Sequence, residues 1–157
     1  MICIKHIVIF VIVVKGYKYR IYPTQEQSIL IDKHIGASRF IYNLSLETKQ
    51  TAYVTAKKTL SAFDIMRQIT ELKQECEWLK EINTQSLQQS ILSMETAFKL
   101  FFKGVHNFPK YKSKHTSKQS FRIPQYVRVN FDDGKLHLPK FKKLITIAIN
   151  NTIKHTT

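Results

Sequence analysis

The chain has 157 residues, one ordinary domain or two very small ones, and 43% of them are hydrophobic, which is enough for a core and excludes wholesale disorder. Its 25 Lys and Arg against 11 Asp and Glu give a net charge of +14, far beyond what solubility needs and suited to a polyanionic partner. The two cysteines, Cys3 and Cys76, are isolated and the four glycines are scattered, so a disulfide framework, a zinc cluster, a P-loop and a dinucleotide fingerprint are all excluded.

Ile7–Val14 is an unbroken apolar run, too short for a membrane-spanning helix and lacking a small-residue cleavage site after it. It reads as an apolar strand, or as an extension from an upstream start codon. From Gly16 to Tyr22 the residues alternate, with Tyr17, Tyr19 and Ile21 on one side and Lys18 and Arg20 on the other, which predicts a strand ended by Pro23. Thr24 and Gln27 form a T-x-x-Q capping box, predicting a helix from Gln25 that stops at Gly36. A second helix is expected over Ala37 to Val54, with Ala37, Ile41 and Leu44 on one stripe. Two helices meeting at a glycine match a helix-turn-helix in outline, an outline that ordinary helical hairpins share.

Ser61 and Asp64 form another capping box, opening a helix whose apolar stripe is Ala62, Ile65, Ile69, Leu72 and Cys76. Trp78 and Leu79 are expected to anchor a turn. Thr84 is expected to cap a last helix, Gln85 to Lys103, with the stripe Leu87, Ile91, Met94, Phe98 and Phe101. Four helices are thus predicted between Gln25 and Lys103. Residues 104–120 have no apolar period and read as a basic loop. From Phe121 the period becomes two. Val127, Val129 and Phe131 precede an Asp132-Asp133-Gly134 turn, Leu136 and Leu138 follow it, and Ile145, Ile147 and Ile149 suggest a further strand.

The fold class predicted is α+β: a small antiparallel sheet or wedge-like barrel with a four-helix insertion containing a helix-turn-helix-like unit. The expected division has an apolar extension (1–14), a β wedge made of 15–23 and 121–149, a helical insertion (24–103), a basic loop (104–120) and a polar tail (150–157).

Charge is uneven along this plan. Residues 1–98 carry 12 basic and 9 acidic side chains, residues 99–157 carry 13 and 2, and no carboxylate lies between Thr96 and Phe131. Within that stretch Lys99, Lys103, Lys110, Lys112, Lys114, Lys118 and Arg122 alternate with aromatic residues, among them Tyr111. Lysines neutralise phosphates and exposed rings stack on unpaired bases, so Lys110, Tyr111, Lys112, Lys114 and Arg122 are the leading candidates for nucleic-acid contact. Phe98 and Phe101 fit the core stripe instead. Gln85, Gln88 and Gln89 have the bidentate chemistry that reads adenine edges, and they equally suit an ordinary polar helix surface. Carboxylates are dispersed, and no His, Ser, Cys or Asp constellation suggests a catalytic centre. The expectation is a binder without catalytic residues, metal or cofactor of its own.

Seven ordered blocks resemble one family: YKYRIYPTQEQ (Tyr17–Gln27), GASRFIYN (Gly36–Asn43), ELKQECEWLKEI (Glu71–Ile82), SLQQSILSMETAFKLFFKG (Ser86–Gly104), FPKYKSK (Phe108–Lys114), QSFRIPQ (Gln119–Gln125) and KLHLPK (Lys135–Lys140). Together they are similar to the N-terminal part of the TnpB/OrfB proteins of insertion sequences. The resemblance implies a transposon-encoded relative of RNA-guided DNA endonucleases, with guide RNA and target DNA as partners, no membrane partner, and a cytoplasmic, nucleoid-associated location in a prokaryote. It also implies that Thr84, Gln85 and Gln88 help to read the motif flanking a target, and that FPKYKSK meets nucleic-acid backbone. Family members continue into a RuvC-like nuclease with a four-cysteine zinc module, and no residue here matches either. The expectation is a truncated recognition lobe without cleavage activity of its own, with a split endonuclease needing a companion chain, or a gene remnant, as alternatives.

Overall fold

The computed structural model describes residues 16–148, so the expected apolar strand before Gly16, the polar tail and Ile149 lie outside the described residues. Its elements run β1 (Ile21–Tyr22), α1 (Gln25–Ala56), α2 (Ala62–Glu75), α3 (Glu77–Lys80), α4 (Thr84–Phe102), β2 (Arg128–Asn130), β3 (Lys135–His137) and β4 (Ile145–Ile147). All four strands form one antiparallel sheet in the order β1-β4-β3-β2. The α+β class is as predicted, with the helices inserted between the first strand and the other three. Among the described residues β1 and β2 are the outermost strands of this sheet.

Both capping boxes form. Thr24 accepts from the Gln27 N–H at 3.4 Å while the Gln27 side chain accepts from the Thr24 N–H at 2.9 Å. Ser61 and Asp64 make the same reciprocal pair. Gln27 also joins the helices to the sheet, because its Nε2 donates to the carbonyls of Lys143 (3.3 Å) and Leu144 (3.2 Å) just before β4.

The expected break at Gly36 is wrong. Residues 25–56 are one helix of 32 residues. His34, Ala37, Ser38, Ile41, Tyr42, Ser45 and Leu46 are all buried along it, so the core-facing stripe passes Gly36 without interruption. Packing of that stripe outweighs the roughly 1 kcal/mol that a glycine costs in a helix interior. A Cβ at Gly36 would meet nothing within 4 Å, and Gly36 is not among the positive-φ residues. Gly36→Ala is therefore expected to raise unfolding free energy by about 0.5–1 kcal/mol, read as a higher urea midpoint. A lower midpoint would mean that the glycine is needed for a turn. The actual end of α1 is at Lys57, whose left-handed φ of 51° turns the chain out of the helix.

Other boundaries shift for local reasons. Trp78 and Leu79 lie in the short helix α3, where Leu79 is fully buried. Asn83, one residue before Thr84, caps α4 by accepting from the Ser86 N–H at 3.1 Å. Among the described residues, the strand predicted over Gly16–Tyr22 is paired at Ile21–Tyr22, with the Ala148 N–H also donating to the Arg20 carbonyl. Pairing of the later sequence begins at Arg128, well after Phe121.

The core lies among the helices. The predicted α4 stripe of Leu87, Ile91, Met94 and Phe98 is buried against Ile41 and Leu46 of α1 and Ile65 and Ile69 of α2. Each such aliphatic side chain removed from water contributes about 1.5–3 kcal/mol. On the sheet side Phe141, Ile145 and Ile147 are buried, whereas Val127, Val129 and Phe131 stay exposed. His34 sits between the two regions. Its ring is fully buried, 5.1 Å from Phe121 and 5.5 Å from Phe141. Its Nδ1 donates to the Leu30 carbonyl at 2.8 Å, and its Nε2 accepts the Asn83 N–H at 3.2 Å. No described helix is long and apolar enough to cross a membrane.

Candidate nucleic-acid interface

The carboxylate-free stretch leaves α4 at Lys103 and crosses back over α1 as an irregular strap. Asn43 of α1 holds it in two directions, donating to the Lys112 carbonyl at 2.9 Å and accepting the Lys112 N–H at 2.7 Å. Arg39, one helical turn earlier, donates to the Gln119 side chain at 2.8 Å. Gln119 Nε2 in turn donates to the carbonyls of Ser113, Lys114 and Ser117, bracing the turn between them. Phe121 seats on His34. The strap is irregular because its sequence has no apolar period, and it is fixed because Asn43 of α1 satisfies the backbone of Lys112 and Gln119 that of the turn beyond it.

Electrostatics separates the cations into two sets. The described ion pairs are Lys33–Glu81, Lys49–Glu95, Lys80–Glu77 and Lys143–Glu26. None involves Lys99, Lys103, Lys110, Lys112, Lys114, Lys118 or Arg122. Of these Lys112 differs from the rest. It is half-buried, its ammonium lies 4.0 Å from the centre of the Tyr42 ring, and burial lowers its pKa. Lys112 thus helps to dock the strap, while Lys99, Lys103, Lys110, Lys114, Lys118 and Arg122 are exposed. Tyr111 is exposed as well, with its hydroxyl 3.3 Å from Gln50.

The predicted site residues do not converge on one place. Thr84 and Gln88 line a groove of about 320 Å³ between α2 and α4, together with Lys73. Lys73 donates to the Thr84 hydroxyl at 2.6 Å and to the Ile82 carbonyl, and burial lowers its pKa. Lys112 and Arg122 line a different, polar cleft of about 210 Å³ between α1, α4 and the strap. Gln85 is engaged elsewhere, donating to Gln125 at 2.7 Å. Lys99 and Lys103 are on the last turn of α4 and just beyond it. Nearby, Phe98, Phe101, Phe102 and Phe108 line an apolar cleft of about 680 Å³. Sequence reasoning missed Ser38, Arg39 and Gln119 as members of the polar cleft. A lone Arg39 in a helix carries no signal until the strap is laid beside it. Among the described residues, no three His, Cys, Asp or Glu side chains gather where they could hold a metal ion.

A long helix, an amphipathic helix beside it and a cation-rich strap, set on a small antiparallel sheet, define an α+β module with one markedly basic segment. A family model described as a helix-turn-helix domain of the OrfB/IS605 type matches residues 13–58. A protein of Streptomyces pristinaespiralis named as a candidate RNA-guided DNA endonuclease is 33% identical over 130 residues, covering 80% of this chain and 32% of the relative. InsQ of Escherichia coli (strain K12), named in the same way, is 30% identical over 128 residues, covering 80% and 32%. Virulence protein VsdF of Salmonella dublin is 31% identical over 112 residues, covering 64% of this chain and 94% of that protein. The chain belongs to the TnpB/OrfB family of insertion-sequence proteins and spans about a third of the length of the first two relatives. Residues 25–56 of the matched region form one continuous helix here.

Proposed function

We propose that this chain is a nucleic-acid-binding recognition module of the TnpB/OrfB type, with residues 24–103 as the recognition insertion and the sheet as its wedge. The observation that carries this reading is the run of seven cations from Lys99 to Arg122 without an ion-pair partner among the described residues. All but the half-buried Lys112 are exposed and available to phosphates, which supply most of the affinity of such proteins. The ligand is guide RNA or target DNA. Gln88, near the start of α4 and open to the α2–α4 groove, is the leading candidate for reading bases, ahead of Thr84 and Gln85, whose side chains are engaged by Lys73 and Gln125. In this reading chemistry on DNA belongs to a companion chain or domain.

The test is titration of the chain with duplex DNA, single-stranded DNA and structured RNA over a salt series. Affinity that falls steeply with salt, and that is stronger for one of the three, is expected. Absent or salt-independent binding would remove the reading. Cleavage of DNA by this chain with magnesium alone would contradict its second half.

A further inference from the structure

The polar cleft between α1, α4 and the strap is built from an unusual selection of side chains. Arg39, Lys112, Lys118 and Arg122 line it, Ser38, Ser90 and Ser93 line its helical walls, and among the described residues no carboxylate does. Its space of about 210 Å³ is large enough for one tetrahedral oxyanion with part of whatever carries it. Cations gathered in a concave polar wall, with no counter-charge, are a standing demand for an anion.

A second observation comes from Ser38. Its side chain is 5% exposed, and its hydroxyl has no hydrogen-bond partner among the described residues. Serines and threonines inside a helix ordinarily donate to the carbonyl four residues back. Ser45, Thr48 and Thr55 of the same helix do so, at 2.6, 2.8 and 2.7 Å, as do Ser90 and Ser93 across the cleft. Ser38 is thus a buried hydroxyl with its proton uncommitted, on the wall of a cationic cleft. A buried polar group is unfavourable unless it is hydrogen-bonded. The neighbouring Arg39 has five N–H donors, and its hydrogen bond to Gln119, the one it makes among the described residues, uses one of them.

We propose that this cleft seats a single phosphate group of a bound nucleic-acid backbone, with Ser38, Arg39 and Arg122 as its donors. This rests on the nucleic-acid-binding reading and sharpens it. One phosphate is held at a fixed point against α1, setting the register from which the strap lysines follow the backbone. A seated phosphate differs from a diffuse basic patch because a neutral hydroxyl contributes to it.

The test uses the full chain with Ser38→Ala, Arg39→Gln and, as a control outside the cleft, Arg67→Gln. Each is titrated with duplex DNA and structured RNA across salt, and separately with inorganic phosphate followed through the backbone amide signals of residues 38, 39 and 122. Ser38→Ala places the best helix former in a helix interior, so thermal melting should show an intact fold. Arg39→Gln is expected to weaken nucleic-acid binding about tenfold and to lower the salt slope by about 0.9. Ser38→Ala is expected to weaken it about three- to tenfold without changing the slope, because no charge is lost. Arg67→Gln should leave the affinity within about twofold of the parent. Parental affinity in both cleft variants would overturn the phosphate seat while leaving nucleic-acid binding intact. Ser38-dependent binding of inorganic phosphate by a chain that binds no nucleic acid would overturn the backbone as its source. Binding of neither would overturn both readings.

Discussion

Replacing Lys110, Lys114 and Lys118 together by alanine is expected to weaken nucleic-acid binding by roughly 10- to 1000-fold at low salt. The three are exposed, carry no ion pair in the described structure and follow one another along the strap. On duplex DNA the slope of log affinity against log salt should become shallower by about 0.9 for each phosphate no longer neutralised. Stability should hardly change, because surface substitutions away from packed features stay within about 0.5 kcal/mol each. Lys112 is left in place for this test. Its backbone is tied to Asn43 and its ammonium to Tyr42, so removing it would loosen the strap as well as its charge. Equal affinity and equal slope in the triple variant would show that the strap is only a solvated loop.

The largest effect on stability is expected at His34. Alanine there removes a fully buried ring packed on Phe121 and Phe141 and leaves the Asn83 N–H without an acceptor. A loss of about 2–4 kcal/mol follows from the cavity and the orphaned donor together. The same residue gives the protein a pH dependence. Desolvation lowers its pKa below the ordinary 6.5, helped by the nearby charges of Lys140 and Lys73 and opposed by the hydrogen bond to Leu30. The folded chain therefore keeps a neutral imidazole at a pH where the unfolded chain has already taken up a proton. Stability should be level above about pH 7 and fall as the pH drops below 6.5, with protons favouring the unfolded state. Urea unfolding at pH 7.5, 6.5 and 5.5 should show that fall in the parent and a flatter profile in His34→Ala. A parental midpoint that rises on acidification would contradict a buried neutral histidine.

Much of this fold was legible where the signal is local. The T-x-x-Q and S-x-x-D boxes depend on residues three apart, and both form as expected. The stripe of α4 and the Asp132-Asp133-Gly134 turn are equally short-range, and Gly134 does take a positive φ of 62°. The failure at Gly36 has a long-range cause. Gly36 looked like a stop because its intrinsic preference is local, while the buried stripe that carries α1 past it is satisfied only by packing against α4 and α2. Tyr17 and Tyr19 alternate as a strand should, and the register that pairs Ile21 with Ile147 would set them opposite positions 151 and 149, outside the described residues.

The candidate site divides in the same way. The missing carboxylates between Thr96 and Phe131 marked the strap from composition alone. What the strap lies on could not be seen, because Asn43 meets Lys112 across 69 positions and Arg39 meets Gln119 across 80. Nor could the sequence show that Gln88 and Arg122 serve separate clefts on either side of α4.

The central claim, that nucleic acid runs along the strap and the adjoining face of α1, is tested most directly by lysine acetylation of the full chain with and without bound duplex DNA or structured RNA. Mass spectrometry then reads protection residue by residue. Lys110, Lys114 and Lys118 should be protected in the complex, while Lys57 and Lys58, at the far end of α1, should react as they do in the free chain. Protection at Lys57 and Lys58 with full reactivity along the strap would place the ligand elsewhere and contradict the account.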